Sequence, residues 1–471
     1  MTRWMAGVAL LVVSSAAAIA ADRFDGARTQ IRERMLELSV PSVAVAVAKD
    51  GRILWEEGFG WADRERRLPA NAQTLYSVAS ISKPLTATGL MTLVKAGKVD
   101  LDRPANDYLS GARIVARVGD ASGATLRRIA NHTSGLPTYH RFFYRDEAIV
   151  PPSMDEVILR YGNLLRVPGE RVVYSNLGFG LLGHIIEQVS GESYAEYMRR
   201  EVFLPLAMTR SSVGVGSEQQ NVAVRYGDDR LPLPAYSSDT EAAGAIYSSV
   251  HDLVRFGMFQ LKAHHADQKA ILSDAAIDEM QRRSSVLAIP GVPEFGFGVS
   301  FLVQDKFGYR VVGHAGSMSG VSAQLYLVPE EGVVIVAVSN LSWPAAFDVP
   351  DIVAGSVLPR WKRNPPAMAP VPTPPVSTAF IGQWHGNVST YQGEMPLVLT
   401  FAADGTVLAK LGDQLTALVN DSKFSERGFS GRFAARMGTS DTAGYNHVIG
   451  IDLDLRGETL TGMAHTQYWN T

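Results

Sequence analysis

The sequence predicts an α+β fold: an antiparallel sheet flanked by helices, with an all-helical subdomain, followed by a small C-terminal antiparallel β-barrel. Three observations carry this. Strand-patterned segments lie at both ends of residues 22–363, with apolar helical stretches between them. A proline-rich, semi-rigid spacer occupies 364–376, and only short strand patterns follow it over 377–471. Hydrophobic residues make up 46% of the 471 and charged residues 19%, a composition with ample apolar surface to bury.

Residues 1–21 read as an export signal. Arg3 gives the positive start, 8–13 the apolar stretch, and Ala18-Ile19-Ala20 the small-x-small cleavage site. That stretch is too short to span a membrane, and nothing later approaches ~18 consecutive apolar residues. The expected mature chain begins near Ala21 or Asp22, lacks an integral span, and is periplasmic or secreted from a bacterium. A helix is expected over 22–38, ending before Val40-Pro41. Residues 43–48 alternate large and small, Asp50-Gly51 suits a hairpin turn, and 52–55 return. Gly58-Phe59-Gly60-Trp61 prolongs that strand toward Pro69. Residues 85–94 form a buried helix that Gly97 ends. A polar, irregular region opens at Leu101-Asp102-Arg103-Pro104, and Asn131-His132-Thr133-Ser134-Gly135-Leu136 closes a short helical run. Residues 177–189 make a second apolar helix, whose Gly178, Gly180 and Gly183 imply close packing on a neighbour. Strand patterns return at 298–304 and 323–328, then beyond the spacer at 395–401, 406–411, 432–437 and 448–455.

Several function classes fall away. A net charge of -3 offers no electrostatic reason for nucleic acid or anionic membrane as partner. Without cysteine there are no disulfides, thiol nucleophile, thiolate-zinc site or lipid-modified N-terminal cysteine. No cofactor or metal is called for, and His264-His265-x-Asp267 is too isolated to argue for one. A Gly-x-Ser-x-Gly elbow is absent, which disfavours that hydrolase architecture.

Positive chemistry starts at Ser80 and Lys83. Three residues apart at a helix mouth, they share one face, with unpaired backbone N–H groups nearby and Pro84 tolerated in the first turn. A serine needs a neighbour to take its proton, and a desolvated lysine amine can do so. Ser-x-x-Lys alone is more often a cap or a surface helix. Of the ten lysines, however, only Lys83 has a serine three residues earlier, and its setting is apolar. Tyr174-x-Asn176 lies between the Pro168-Gly169 turn and the second apolar helix; Tyr161-Gly162-Asn163 and Tyr468-Trp469-Asn470 share the pattern without that setting. A tyrosine there can exchange a proton with a serine, and an asparagine can orient lysine or substrate. His314-Ala315-Gly316-Ser317 lies between two strand patterns, where glycine lets backbone N–H groups approach a ligand. Taken singly, His132 and His314 are more often structural histidines bonded to backbone.

In that order, Ser80-x-x-Lys83, Tyr174-x-Asn176 and His314-x-Gly316 resemble the three motifs of the serine beta-lactamase and penicillin-binding-protein superfamily. The nearest branch by resemblance is class C beta-lactamase-like proteins, with family VIII carboxylesterases and D-amino-acid peptidases. It covers about residues 25–360 and includes Asn131 to Leu136, Ala243-Gly244-Ala245-Ile246-Tyr247-Ser248 and Phe295-Gly296-Phe297-Gly298. The resemblance implies an acyl-enzyme on Ser80, with acid and base work shared by Lys83 and Tyr174. It gives Asn176 an orienting role and an oxyanion site between the N–H groups of Ser80 and Ser317. Gly382-Gln383-Trp384 resembles the lipocalin Gly-x-Trp signature, so the barrel is expected to be lipocalin-like. One departure stands out: lysine usually opens the third motif, and His314, mostly neutral at pH 7, replaces it. Expected substrates are therefore small esters, peptides or amides rather than acidic beta-lactams. The alternatives are a beta-lactamase or D-Ala-D-Ala carboxypeptidase, and a non-catalytic binding or scaffold relative.

Overall fold

The Asp50-Gly51 turn works as its sequence suggests: both residues take positive φ (50° and 73°), the geometry of a tight hairpin turn. It joins strands Ser42–Lys49 and Arg52–Asp63, which open an eight-stranded sheet. In a computed structural model, the structure describes residues 22–145, 149–216, 219–287, 294–342, 346, 348–361, 377–442 and 447–468. The export signal over 1–21 and the proline-rich spacer over 364–376 lie outside the described residues.

Sheet order places the N-terminal hairpin beside the late strands. Val333–Ser339 pairs with Ser42–Lys49, followed outward by Val321–Val328, Tyr309–Met318 and Leu302–Lys306, all antiparallel. The large–small alternation in the first strand has a packing reason. Ala44, Ala46 and Ala48 face the helical layer, where helix Val250–Gln260 runs close. Val43, Val45 and Val47 face the other way, in the core that includes Ile31 of helix Asp25–Leu38 and Ile352 and Val353 of helix Val349–Ala354.

A mainly helical region fills the interval between Arg52–Asp63 and Leu302–Lys306. Its centre is helix Ser82–Lys95, with eleven buried residues, packed against helix Asn176–Ser190. The glycines of the latter admit their neighbours as expected. A Cβ on Gly183 would stand 2.4 Å from Ala242 Cβ, so any larger residue pushes away the short helix Glu241–Gly244.

The C-terminal strands differ from the expected closed barrel. They form two four-stranded antiparallel sheets: Gly382–Thr390 to Ala417–Leu418, and Asn420–Phe424 to Thr459–Tyr468. The chain passes from one sheet to the other at Val419, around a shared core of Phe380, Phe401, Phe424 and Phe429. Closure would need Gly382–Thr390 and Thr459–Tyr468 to pair. They remain separate edges, and both line one cavity with the helical region. Strand Gly428–Ala434 stands where 432–437 was expected, and Gly382–Thr390 and Asn420–Phe424 are further strands.

Charged contacts join the two parts. Arg166, 3% exposed, lies 3.3 Å from both Asp452 and Asp454, and its Nη2 donates to the Asp452 carbonyl at 2.8 Å. Arg171 reaches the same carboxylates, and Arg456 pairs with Glu170 at 2.6 Å. The phenol of Tyr161 donates to Asp441.

Candidate active site

Ser80 occupies a 3-10 turn, Ala79–Ile81, immediately ahead of helix Ser82–Lys95. Ala79 is held at φ 44°, a strained conformation for a residue with a side chain. One turn on, Lys83 is fully buried, with Nζ 3.0 Å from Ser80 Oγ and donating to the Ala243 carbonyl at 2.8 Å. Burial alone drives the Lys83 amine well below its ordinary pKa; among the described residues no carboxylate offsets the loss of solvent. A buried ammonium without a counter-ion is costly, so burial favours the neutral amine. A neutral amine that donates to a carbonyl keeps its lone pair for the serine proton.

Tyr174 precedes the cap of helix Asn176–Ser190, where Ser175 Oγ accepts from Gly178 N–H and donates to the Pro137 carbonyl. Burial raises the Tyr174 phenol pKa above its ordinary value, opposed by interaction with Ser80. It is therefore a neutral phenol beside the nucleophile, and its ring lies 4.9 Å from Lys83 Nζ. Two bonds from one residue bracket it. The His132 carbonyl accepts from Val173 N–H at 2.7 Å, and His132 Nδ1 accepts from Ser175 N–H at 3.1 Å. The His132 ring also packs 4.3 Å from that of Tyr174. Accepting at Nδ1 fixes the neutral tautomer with the proton on Nε2, and burial pushes its pKa well down. His132 is thus the backbone-bonded histidine expected, and it also fixes the tyrosine.

Gly316 explains why the third motif needs a glycine. A Cβ there would meet the Val78 carbonyl at 2.2 Å and the Ser80 nitrogen at 3.2 Å, so the strand lies directly on the turn presenting the nucleophile. The two-residue turn Ser319-Gly320 makes Met318 and Val321 a bonded pair. Alternation then turns the Ser317 N–H away from strand Val321–Val328. On that other side the neighbouring strand has already ended, its last pair being Leu302 with Gly313. An N–H thus faces the cleft beside Ser80. His314 is buried, its Nδ1 2.6 Å from the Ala315 carbonyl, and its pKa is lowered to about 3 by burial and then by Lys83. It carries no charge at pH 7.

Asn176 lines the cavity, but its amide donates to the Thr138 carbonyl at 3.4 Å and lies 3.2 Å from His140 Nδ1. The bonds of Lys83 go instead to Ser80 and Ala243. Thus Ser80, Lys83, Tyr174 and Ser317 converge, whereas Asn176 orients the loop around His140. Sequence reasoning singled out the 243–248 stretch but not the Ala243 carbonyl. The small residues Gly180 and Gly183, which let Glu241–Gly244 approach, were its only signal.

Ser80, Tyr174, Asn176 and Ser317 open onto a cavity of about 1610 Å³, closed on its far side by the C-terminal strands. Among the described residues no group of three or more His, Asp or Glu could hold a metal ion.

A family model described as Beta-lactamase matches residues 27–355. Penicillin-binding protein 4* of Bacillus subtilis (strain 168) is 27% identical, over 63% of this chain and 67% of its own length. The octameric penicillin-binding protein homologue from Pyrococcus abyssi shares the fold with a TM-score of 0.62 at 22% identity. That likeness covers 94% of this chain and 99% of the homologue, so it extends into the C-terminal strands. D-amino acid amidase from Ochrobactrum anthropi SV3, solved with L-phenylalanine amide, gives 0.58 at 24%, covering 71% and 97%.

Proposed function

The chain belongs to the beta-lactamase family of serine hydrolases, and from that premise we propose that it is an exported esterase or amidase acting through an acyl-enzyme on Ser80. The observation that carries the proposal is a buried Lys83 amine, without a carboxylate partner, 3.0 Å from the Ser80 hydroxyl.

In this reading Ser80 Oγ attacks the substrate carbonyl while its proton passes to Lys83 Nζ. The O–C bond forms, and the negative oxygen sits between the Ser80 and Ser317 N–H groups. Tyr174, a neutral phenol, gives its proton to the departing alcohol or amine and is reprotonated from Lys83. Water then attacks the acyl-enzyme, losing its proton along the same path, and Ser80 is regenerated. Burial favours the neutral form of both groups, which suits the Lys83 amine to accepting the serine proton and the Tyr174 phenol to donating one.

The neutral His314 supports esters, amides and peptides over acidic beta-lactams, since it offers no cation to a substrate carboxylate. Export rests on the pattern of residues 1–21; no helix among the described residues is long and apolar enough to cross a membrane.

A fluorophosphonate probe tests the core of the proposal. Stoichiometric labelling of Ser80, abolished in Ser80→Ala, supports it; an unlabelled, folded protein supports a non-catalytic relative instead.

A further inference from the structure

The cavity does not stop at the catalytic residues. It continues from Ser80 between the two separate edges of the C-terminal sheets and reaches their apolar inner face. Strand alternation identifies that face. Trp384 and Val388 pack on the C-terminal core, and Gly386 between them shares their side. Gly386 pairs with Leu397, and across the seam Leu460 and Ala464 of strand Thr459–Tyr468 pack on the same core. All six line the same cavity as Ser80 and Tyr174.

Gly386 supplies the most specific clue. A Cβ built on it meets nothing within 4 Å, and its φ lies outside the left-handed region that favours glycine. Gly386 is exposed on the cavity wall, so a side chain there would project into open space between the sheet edges. A binding site is concave and mostly apolar with a few polar groups, and here the polar end is the nucleophile and its oxyanion donors.

We propose that the inner face of the C-terminal sheets is the subsite for an unbranched alkyl chain, so that the substrate is an amphiphile whose ester or amide carbonyl sits at Ser80 while its chain enters between the two sheet edges past Gly386. The proposal rests on the serine hydrolase reading and adds the substrate class. The chain can belong to the acyl group or to the alcohol or amine released; its chemistry is the same, and the assay separates the two.

The test uses the whole chain and two substrate series below their solubility limits: p-nitrophenyl alkanoates, which lengthen the acyl group, and n-alkyl acetates, which lengthen the leaving group. In wild type, kcat/KM should rise roughly fourfold per added methylene in one series until the pocket is filled, chiefly through KM. Gly386→Ala, Gly386→Leu and Gly386→Phe should stop that rise at progressively shorter chains while hydrolysing p-nitrophenyl acetate like wild type. These variants fill open space at an unstrained position, and thermal melting checks that each is folded. Flat profiles in both series, or a rise untouched by all three substitutions, overturn the subsite while leaving the hydrolase reading intact. If no ester is hydrolysed and Ser80 takes no fluorophosphonate, the hydrolase reading itself fails, and the subsite with it.

Discussion

Gly316→Ala is the most exacting single substitution, because its effect follows from one contact. The added methyl would stand 2.2 Å from the Val78 carbonyl oxygen and 3.2 Å from the Ser80 nitrogen. Carbon and oxygen settle at about 3.3–3.6 Å, so either strand Tyr309–Met318 or the turn bearing Ser80 must retreat by roughly 1 Å. Both oxyanion donors flank that contact: the Ser80 N–H lies on the turn and the Ser317 N–H one residue along the strand. A shift of this size costs about a hundredfold in rate, and loss of one donor ~10²–10³-fold, or about 3–4 kcal/mol. Steady-state hydrolysis of p-nitrophenyl acetate should therefore show kcat down by two to three orders of magnitude, with little change in KM. A folded Gly316→Ala enzyme working at the wild-type rate would refute the placement of the oxyanion site.

Three further expectations concern other parts of the molecule. Asp452→Asn combined with Asp454→Asn leaves the buried Arg166 without carboxylates; because Asp452 is 37% exposed, the loss should be about 2 kcal/mol, read as a lower melting temperature. An unchanged melting temperature contradicts the interdomain role of Arg166. Burial raises the Asp239 pKa from 3.8 to about 6, although the Tyr139 hydroxyl donates to it at 2.5 Å. A raised folded-state pKa stabilises fully below about pH 4 and loses that contribution as pH rises through about 6, on the order of 3 kcal/mol. Asp239→Asn should match wild type in urea denaturation near pH 4 and exceed it at neutral pH; parallel pH profiles refute the burial effect. Nitrocefin should be a much poorer substrate than p-nitrophenyl acetate, with the gap narrowed in His314→Lys, and equal wild-type turnover would overturn the role given to neutral His314.

What sequence revealed divides along lines of distance. Ser80 and Lys83 were legible because a helix brings residues three apart onto one face, and the apolar run 85–94 announced that the helix was buried. Tyr174 was legible from its place between a Pro-Gly turn and a helix start. The Asp50-Gly51 hairpin followed from local turn chemistry. Contacts across large separations were not available in this way. The Ala243 carbonyl on Lys83, 160 residues away, follows from interhelical packing, and the His132 bonds around Tyr174 from a loop at φ 63°. Asn176 shows the limit of a motif: the spacing placed it at the cleft, but its amide partners are Thr138 and His140. The C-terminal strand patterns gave antiparallel sheets without the open seam, because edge pairing between Gly382–Thr390 and Thr459–Tyr468 is a tertiary choice.

The central claim, a neutral Lys83 amine that takes the Ser80 proton, is tested most directly by the pH dependence of fluorophosphonate labelling at Ser80. A lysine with a lowered pKa gives a labelling rate already on its plateau at neutral pH, falling only toward acid, and lost in Lys83→Ala. A rate that instead keeps climbing toward 10.5, the ordinary lysine value, would mean that Lys83 is charged at pH 7 and is not the base.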